Sequence, residues 1–181
     1  MTELTYHLFE TDFGWCGVIG AAGRIHGALL PEADAEKVRA RFLKRHPGAR
    51  ETNDDADLIR AAARVRALIE GANDDLRDLD LDMSEVSDFE RRVYEIARDV
   101  LPGQTTTYGD IARRLGEVTD SQAVGKALGR NPFAPIIPCH RVVAAGQKLG
   151  GFSATGGRAL KLKMLAAEAR WARDDLFGQG V

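Results

Sequence analysis

The stretch Ser87–Val143, SDFERRVYEIARDVLPGQTTTYGDIARRLGEVTDSQAVGKALGRNPFAPIIPCHRVV, decides the fold. It opens on Ser87-Asp88-Phe89-Glu90, a capping box with Ser at the helix N-cap and Glu three residues on. Phe89, Val93, Ile96, Ala97 and Val100 then recur at helical spacing, and Pro102-Gly103 ends the helix. A short helix is expected over Tyr108–Leu115, with Ile111 and Leu115 inward and Gly116 at its end. Asp120 or Thr119 caps a further helix that runs to about Gly129. Two short helices joined by Gly116–Asp120 make a helix-turn-helix candidate. The second is rich in small residues, Ala123, Gly125, Ala127 and Gly129, which permit close approach to another helix or to a nucleic-acid backbone. Pro132, Pro135 and Pro138 then rigidify an irregular run that delivers Cys139.

Upstream the pattern changes. Leu4–Leu8 alternates like a half-buried strand, and Trp15–Ile19 and Ile25–Leu30 read as two more. Thr11–Gly14 and Gly20–Gly23 are turn signals, and Pro31 is expected to stop the third strand. Ala33–Arg45 and Asp57–Glu70 read as helices; in the second, Leu58, Ala62, Val65 and Ile69 share a face and Gly71 closes it. Asn73–Asp82 is an acidic connector with some strand character at Leu79 and Leu81. Downstream, a last helix is expected over about Arg158–Arg173, carrying Leu160, Met164 and Leu165. The reading divides the chain into an α/β unit over residues 1–83 and a mainly α unit over residues 84–181.

The 181 residues are 44% hydrophobic and 29% charged, sufficient to bury a core at this length. No apolar run approaches the roughly 18 residues of a membrane span, and no basic stretch followed by an apolar one opens the chain. Two cysteines, Cys16 and Cys139, exclude a disulfide-dense scaffold and a four-cysteine zinc site. The expectation is a cytoplasmic protein with reduced thiols and no membrane contact. The net charge of −2 hides a split: residues 1–83 hold 11 Lys/Arg against 16 Asp/Glu, residues 84–181 hold 14 against 11, and Tyr108–Lys163 holds 9 against 3. A basic local field in a near-neutral protein suits one face that meets a polyanion, although chance clustering on a solvated surface gives the same count.

The chemistry concentrates at Ile136-Ile137-Pro138-Cys139-His140-Arg141-Val142-Val143. A lone cysteine in an apolar run also fits an inert core residue. Against that, His140 follows directly and an imidazole favours a thiolate, Arg141 adds positive charge, and the prolines fix the position of the sulfur. A thiolate with a nearby base and an orienting carboxylate is the usual activated nucleophile, and Glu168 on the last helix is the candidate third member.

Asn131-Pro132, Pro138-Cys139-His140-Arg141-Val142-Val143, Gly150-Gly151-Phe152, Lys161 and Leu165-Ala166-Ala167-Glu168 together resemble the O6-alkylguanine-DNA alkyltransferases, or methylated-DNA–protein-cysteine methyltransferases, over about residues 86–169. The resemblance implies a ribonuclease-H-like α/β domain followed by a helix-turn-helix, winged-helix-like alkyltransferase domain. It implies DNA repair: a flipped O6-alkylguanine gives its alkyl group irreversibly to Cys139, once per molecule and without a cofactor. By position, His140 acts through a water as base for the thiol, Glu168 holds His140, Asn131 braces the turn and Tyr108 donates to the guanine. Val142, Gly151, Phe152 and Ser153 belong to the base pocket, through the carbonyl of Val142 (with that of Cys139) and the backbone N–H of Ser153. Gln122, Ala123, Gly125, Lys126, Arg130 and Arg141 fall on the DNA side, with the second helix of the motif in the minor groove of double-stranded DNA. One pocket per chain and no symmetric apolar stripe predict a monomer.

Two positions depart from the family's pattern. Gln122 stands where an arginine usually enters the base stack, and glutamine is shorter, neutral and unable to stack as a guanidinium does. Weaker duplex binding or poorer flipping is the expectation, and a lesion-binding protein without efficient transfer is the alternative function. Phe152 stands where many relatives carry tyrosine, which keeps the pocket wall and removes a hydroxyl. Some relatives bind zinc in the N-terminal half; here Cys16 and His26 are too few for a closed four-ligand site, so no metal is expected.

Overall fold

The computed structural model describes residues 3–116 and 120–177, with side chains as far as Arg170. Three strands form the first layer: β1 (Thr5–Thr11), β2 (Gly14–Ala21) and β3 (Arg24–Glu32). Two tight turns link them. In the second turn Ala22 and Gly23 both have positive φ, the geometry that matches the twist of paired strands. Gly14 also has positive φ, and a Cβ there would lie 2.4 Å from the Glu32 carbonyl oxygen, so glycine is required. A short β4 (Arg50–Glu51) pairs parallel to β1, giving the order β3-β2-β1-β4. The expected stop at Pro31 does not occur. β3 runs on to Glu32 because it is a sheet edge, where a residue without an N–H breaks no ladder bond.

Helices α1 (Ala35–Arg45) and α2 (Ala56–Ile69) pack on this sheet, capped by Asp34 and Asp55. Val38 and Phe42 of α1 join Tyr6 and Ile19 in a small cluster. The α2 face foreseen from spacing is the buried one, and it enters the main core. The connector runs along the β3 edge: Ile25 bridges to Leu81, and the Ile25 N–H donates to the Asp80 carbonyl at 2.8 Å. Farther along that edge the Ala28 N–H donates to the Pro132 carbonyl at 2.9 Å. The segment that leads to Cys139 is thereby hydrogen-bonded to the N-terminal sheet.

The second half is mainly helical. Both halves of the Ser87/Glu90 capping box form at the start of α3 (Asp88–Arg98). A second box, Thr107/Asp110, starts α4 (Tyr108–Arg114), and Asp120 caps α5 (Ser121–Gly129). Thr119, the alternative cap, lies outside the described residues. Tyr94 of α3 is buried and donates to the Ala127 carbonyl at 2.9 Å, tying α3 to α5. A two-residue parallel pair, β5 (Thr106–Thr107) with β6 (Val142–Val143), places the start of α4 beside the Cys139 segment. The last helix, α6 (Gly157–Phe177), starts one residue before the expected range and ends four beyond it. One buried cluster runs from Val18 and Val65 of the sheet layer to Val93, Ile111, Ile137 and Met164. Among the described residues no helix is long and apolar enough to cross a membrane.

Phe133 is 1% exposed and bridges to Ala28 at the junction of the two halves. Phe133→Ala should cost about 3–5 kcal/mol, measured by urea unfolding, the usual cost of deleting a fully buried aromatic side chain. A loss below about 1 kcal/mol would show that the junction is not part of the cooperative core.

Candidate active site

Asn131 shapes the turn that holds Cys139. Its side-chain amide donates to the Ile137 carbonyl at 2.8 Å and its side-chain oxygen accepts from the Phe133 N–H at 2.9 Å. The Cys139–Arg141 segment is a single 3-10 turn, so consecutive side chains point in different directions. Cys139 lines a cavity of about 480 Å³, while His140 and Arg141 turn into the protein. Burial pushes the Cys139 thiol up; the Asn131 amide and the Lys161 charge act in the opposite direction without cancelling it. The resting sulfur is therefore a thiol that needs a base.

The adjacent His140 is the candidate base. His140 is fully buried, with Nε2 2.8 Å from Glu168 Oε1. Burial drives the His140 pKa down despite Glu168, so the ring is neutral at pH 7. Glu168 is also buried, yet its pKa falls, because hydrogen bonds from His140 and Arg141 and the Arg141 charge outweigh desolvation. An ionised carboxylate only accepts, so Nε2 carries the ring proton and Nδ1 is left as an acceptor. Nδ1 is buried and has no hydrogen-bond partner among the described residues.

Arg141 corrects an expectation. Expected on the DNA side, it is 2% exposed and points into the interior. Its guanidinium donates to both Glu168 oxygens, at 2.8–3.1 Å, and to the Val100 carbonyl at 2.7 Å. The buried Glu168 charge requires a partner of opposite sign, and Arg141 is the one within reach. The Gly103 N–H adds a bond to Glu168 at 3.2 Å.

Tyr108, Cys139, Gly151, Phe152 and Ser153 line one side of the cavity; Gln122, Gly125, Leu128 and Gly129 of α5 line the other. Gly125 and Gly129 face this space: a Cβ on either would sit 3.9 Å from Tyr108 or Ser153, in ordinary contact. Tight helix packing is therefore not what these glycines serve. The Tyr108 hydroxyl donates to the Gly151 carbonyl at 3.3 Å, and burial raises its pKa, so it remains a donor. Ser153 Oγ donates to the Gly129 carbonyl at 3.2 Å, joining the pocket loop to α5. Gln122 and Lys126 are exposed, Ala123 is half-buried, and Arg130 pairs with Glu90 at 2.8 Å.

Lys161 is a functional residue that the sequence alone leaves without a role. It is fully buried one α6 face-repeat before Glu168, and it donates to the Val142 carbonyl at 2.6 Å and to Gly151 at 3.3 Å. Its ammonium lies 5.7 Å from the Tyr108 ring centre and 5.6 Å from that of Phe152. Desolvation lowers its pKa to about 8. A lysine seven residues from Glu168, on the face of Met164, was the available signal. The Val142 carbonyl, expected to meet a guanine amine, already accepts from this lysine, and its second lone pair remains.

One acidic group among the described residues, Asp74, Asp75 and Asp78, is close enough to share a cation. Arg64 occupies it, bidentate to Asp74 at 2.7–2.8 Å and paired with Asp78. Cys16 of β2 is fully buried, where desolvation drives its pKa well above the thiol range, and His26 pairs with Asp82.

Residues 88–170 match the family model described as 6-O-methylguanine DNA methyltransferase, DNA binding domain. The chain is similar to a solved O6-methylguanine-DNA methyltransferase from the hyperthermophilic archaeon Pyrococcus kodakaraensis, with a TM-score of 0.70 and 30% identity over 91% of this chain and 98% of that one. The chain belongs to the O6-methylguanine-DNA methyltransferase family. A further family member, the Mycobacterium tuberculosis OGT solved in complex with DNA, aligns with a TM-score of 0.74 and 26% identity over 92% of this chain and 93% of that one. The methylated-DNA–protein-cysteine methyltransferase of Mycolicibacterium paratuberculosis is 42% identical over 93 residues, 51% of this chain. The match spans 54% of that relative, so at the level of sequence the kinship is carried by about half its length.

The Glu168 junction sets an acid limb of stability. Folding depresses the Glu168 pKa, so its contribution is complete above the ordinary value of 4.5 and is lost as pH falls below it. His140, also depressed, adds a loss of the same sign that begins below 6.5. Glu168→Gln should lower stability at pH 7 by about 3–5 kcal/mol, by leaving Arg141 buried and unpaired, and should flatten the slope below pH 4.5. Urea unfolding across pH 3–7 reads both effects.

Proposed function

We propose that this protein repairs DNA by transferring the alkyl group of O6-alkylguanine irreversibly to its own Cys139. The observation that carries the reading is Cys139 in the lining of the cavity, next in sequence to the buried His140–Glu168 pair. The cavity of about 480 Å³ is of small-molecule size and lies within the ~300–1,000 Å³ range of such sites. A base inside a duplex reaches it only by being flipped out of the stack.

The thiol proton passes through a bridging water to His140 Nδ1 as the sulfur attacks the alkyl carbon. The S–C bond forms while the C–O6 bond breaks, and the electron pair leaves with the guanine. The proton returns to the guanine, which departs neutral, with Tyr108 donating to the base as charge develops. Glu168 holds His140 in the required tautomer, and Asn131 keeps the turn in place. Lys161 orients the Val142 and Gly151 carbonyls and offsets negative charge on sulfur. The thioether is stable, so each molecule acts once and no cofactor takes part.

The DNA side is α5, with Gln122, Ala123, Gly125, Lys126 and Arg130, entering the minor groove of double-stranded DNA. The β5–β6 pair beside α4 and α5 supports a winged-helix form, and the β3-β2-β1-β4 sheet supports a ribonuclease-H-like N-terminal domain. The protein works as a cytoplasmic monomer. Cys139 at the cavity favours transfer over lesion binding alone. Gln122 at the cavity mouth leaves flipping as the step it affects.

Intact and peptide mass spectrometry after incubation with O6-methylguanine DNA tests the reading. One methyl group on the Cys139 peptide is expected, absent in Cys139→Ala, with single-stranded substrate reacting at least as fast as duplex because of Gln122. Lesion binding without an adduct would overturn the transfer.

A further inference from the structure

Glu32 is a buried carboxylate, 5% exposed, at the end of β3 on the N-terminal sheet. Arg41 of α1 pairs with it, which places the carboxylate and its counter-charge within the N-terminal half. Its Oε1 also accepts a hydrogen bond at 2.8 Å from the hydroxyl of Thr155, 123 positions away. Thr155 is otherwise exposed and sits between two functional elements. Phe152 and Ser153, two and three residues before it, are cavity wall. Two residues after it, α6 begins, the helix that carries Lys161 and Glu168.

A second contact joins the N-terminal half to the other end of that functional stretch. Gly71, just past α2, has φ +103°, and a Cβ there would lie 2.8 Å from the Ala167 carbonyl oxygen, next to Glu168. The N-terminal half thus touches α6 and its preceding loop at both ends of the segment that builds the site. No described residue of that half lines the cavity.

We infer that the Glu32–Thr155 hydrogen bond is a positioning contact through which the N-terminal half sets the pocket wall at Gly151–Ser153. The inference rests on the alkyl-transfer reading for its kinetic consequence, while the contact itself stands on geometry. A hydrogen bond to a carboxylate held in an ion pair is stronger than one between neutral groups. The Ser153–Gly129 bond fixes the loop to α5, and the Glu32–Thr155 bond fixes it to the N-terminal sheet. With the second bond gone, the wall keeps its bonds to Tyr108, Lys161 and α5 but loses its tie to the N-terminal half. In-line displacement is sensitive to small misplacement of the base, so a loosened wall lowers productive occupancy before it alters the thiol chemistry.

The test uses the full chain with Thr155→Val, which keeps shape and removes the hydroxyl, and Thr155→Ser, which restores it. Two readouts are taken: amide hydrogen exchange of the peptide over residues 150–157, and the rate of Cys139 methylation against concentration of free O6-methylguanine base. Thr155→Val should exchange about tenfold faster in that peptide, the worth of one hydrogen bond to a charged group. It should also raise the half-saturating base concentration about tenfold with the limiting rate within twofold. Thr155→Ser should restore both. Wild-type exchange in Thr155→Val would overturn the inference, as would faster exchange with unchanged methylation kinetics. If the wild-type protein shows no methylation at all, the functional reading fails, and the exchange data alone decide whether the contact orders the loop.

Discussion

The buried carboxylate of Glu168 is the constraint on which the site depends. It accepts from His140, from Arg141 and from the Gly103 backbone, so a single charge joins α6, the 3-10 turn and the loop after α3. An isolated charge would be costly in that interior, and the three donors offset the cost only when all are in place. The same contacts fix the chemistry of His140. With a carboxylate on Nε2, the ring presents Nδ1 as its only proton acceptor. Arg141, adjacent in sequence to the imidazole, supplies the positive charge, which lets the histidine remain neutral.

Around that junction the elements act as spacers. The β5–β6 pair sets Tyr108 beside the Cys139 segment, and the Asn131 bonds fix the turn. α5 provides a wall of small residues, and the loop before α6 provides the facing wall. Lys161 ties the carbonyls of the turn and of that loop together from within. The N-terminal sheet meets this assembly through Pro132, Phe133 and Thr155, so it bears directly on the segments that hold Cys139 and the pocket wall.

Much of this was legible in the sequence because local chemistry and tertiary structure agree. The Ser87/Glu90 box, the helix spacing after it and the Pro-Cys-His run need no distant partner to be recognised. β4, β5 and β6 were missed because two-residue strands have no measurable period. Pro31 reads as a stop because edge position is a property of the sheet and cannot be seen along the chain. Arg141 was placed on the DNA side for a similar reason: its charge is in the sequence, but the inward turn that delivers it to Glu168 is set by three-residue backbone geometry. The Glu32–Thr155 bond, spanning 123 positions, leaves no local mark at all.

The measurement that bears most directly on this account is 15N NMR of the His140 ring at pH 7, in wild type and in His140→Gln to assign the signal. A neutral ring with its proton on Nε2, remaining neutral as pH falls through the ordinary histidine value of 6.5, is the predicted result. A ring that is charged at pH 7, or protonated on Nδ1, would have no acceptor to offer the thiol and would contradict the proposed activation of Cys139.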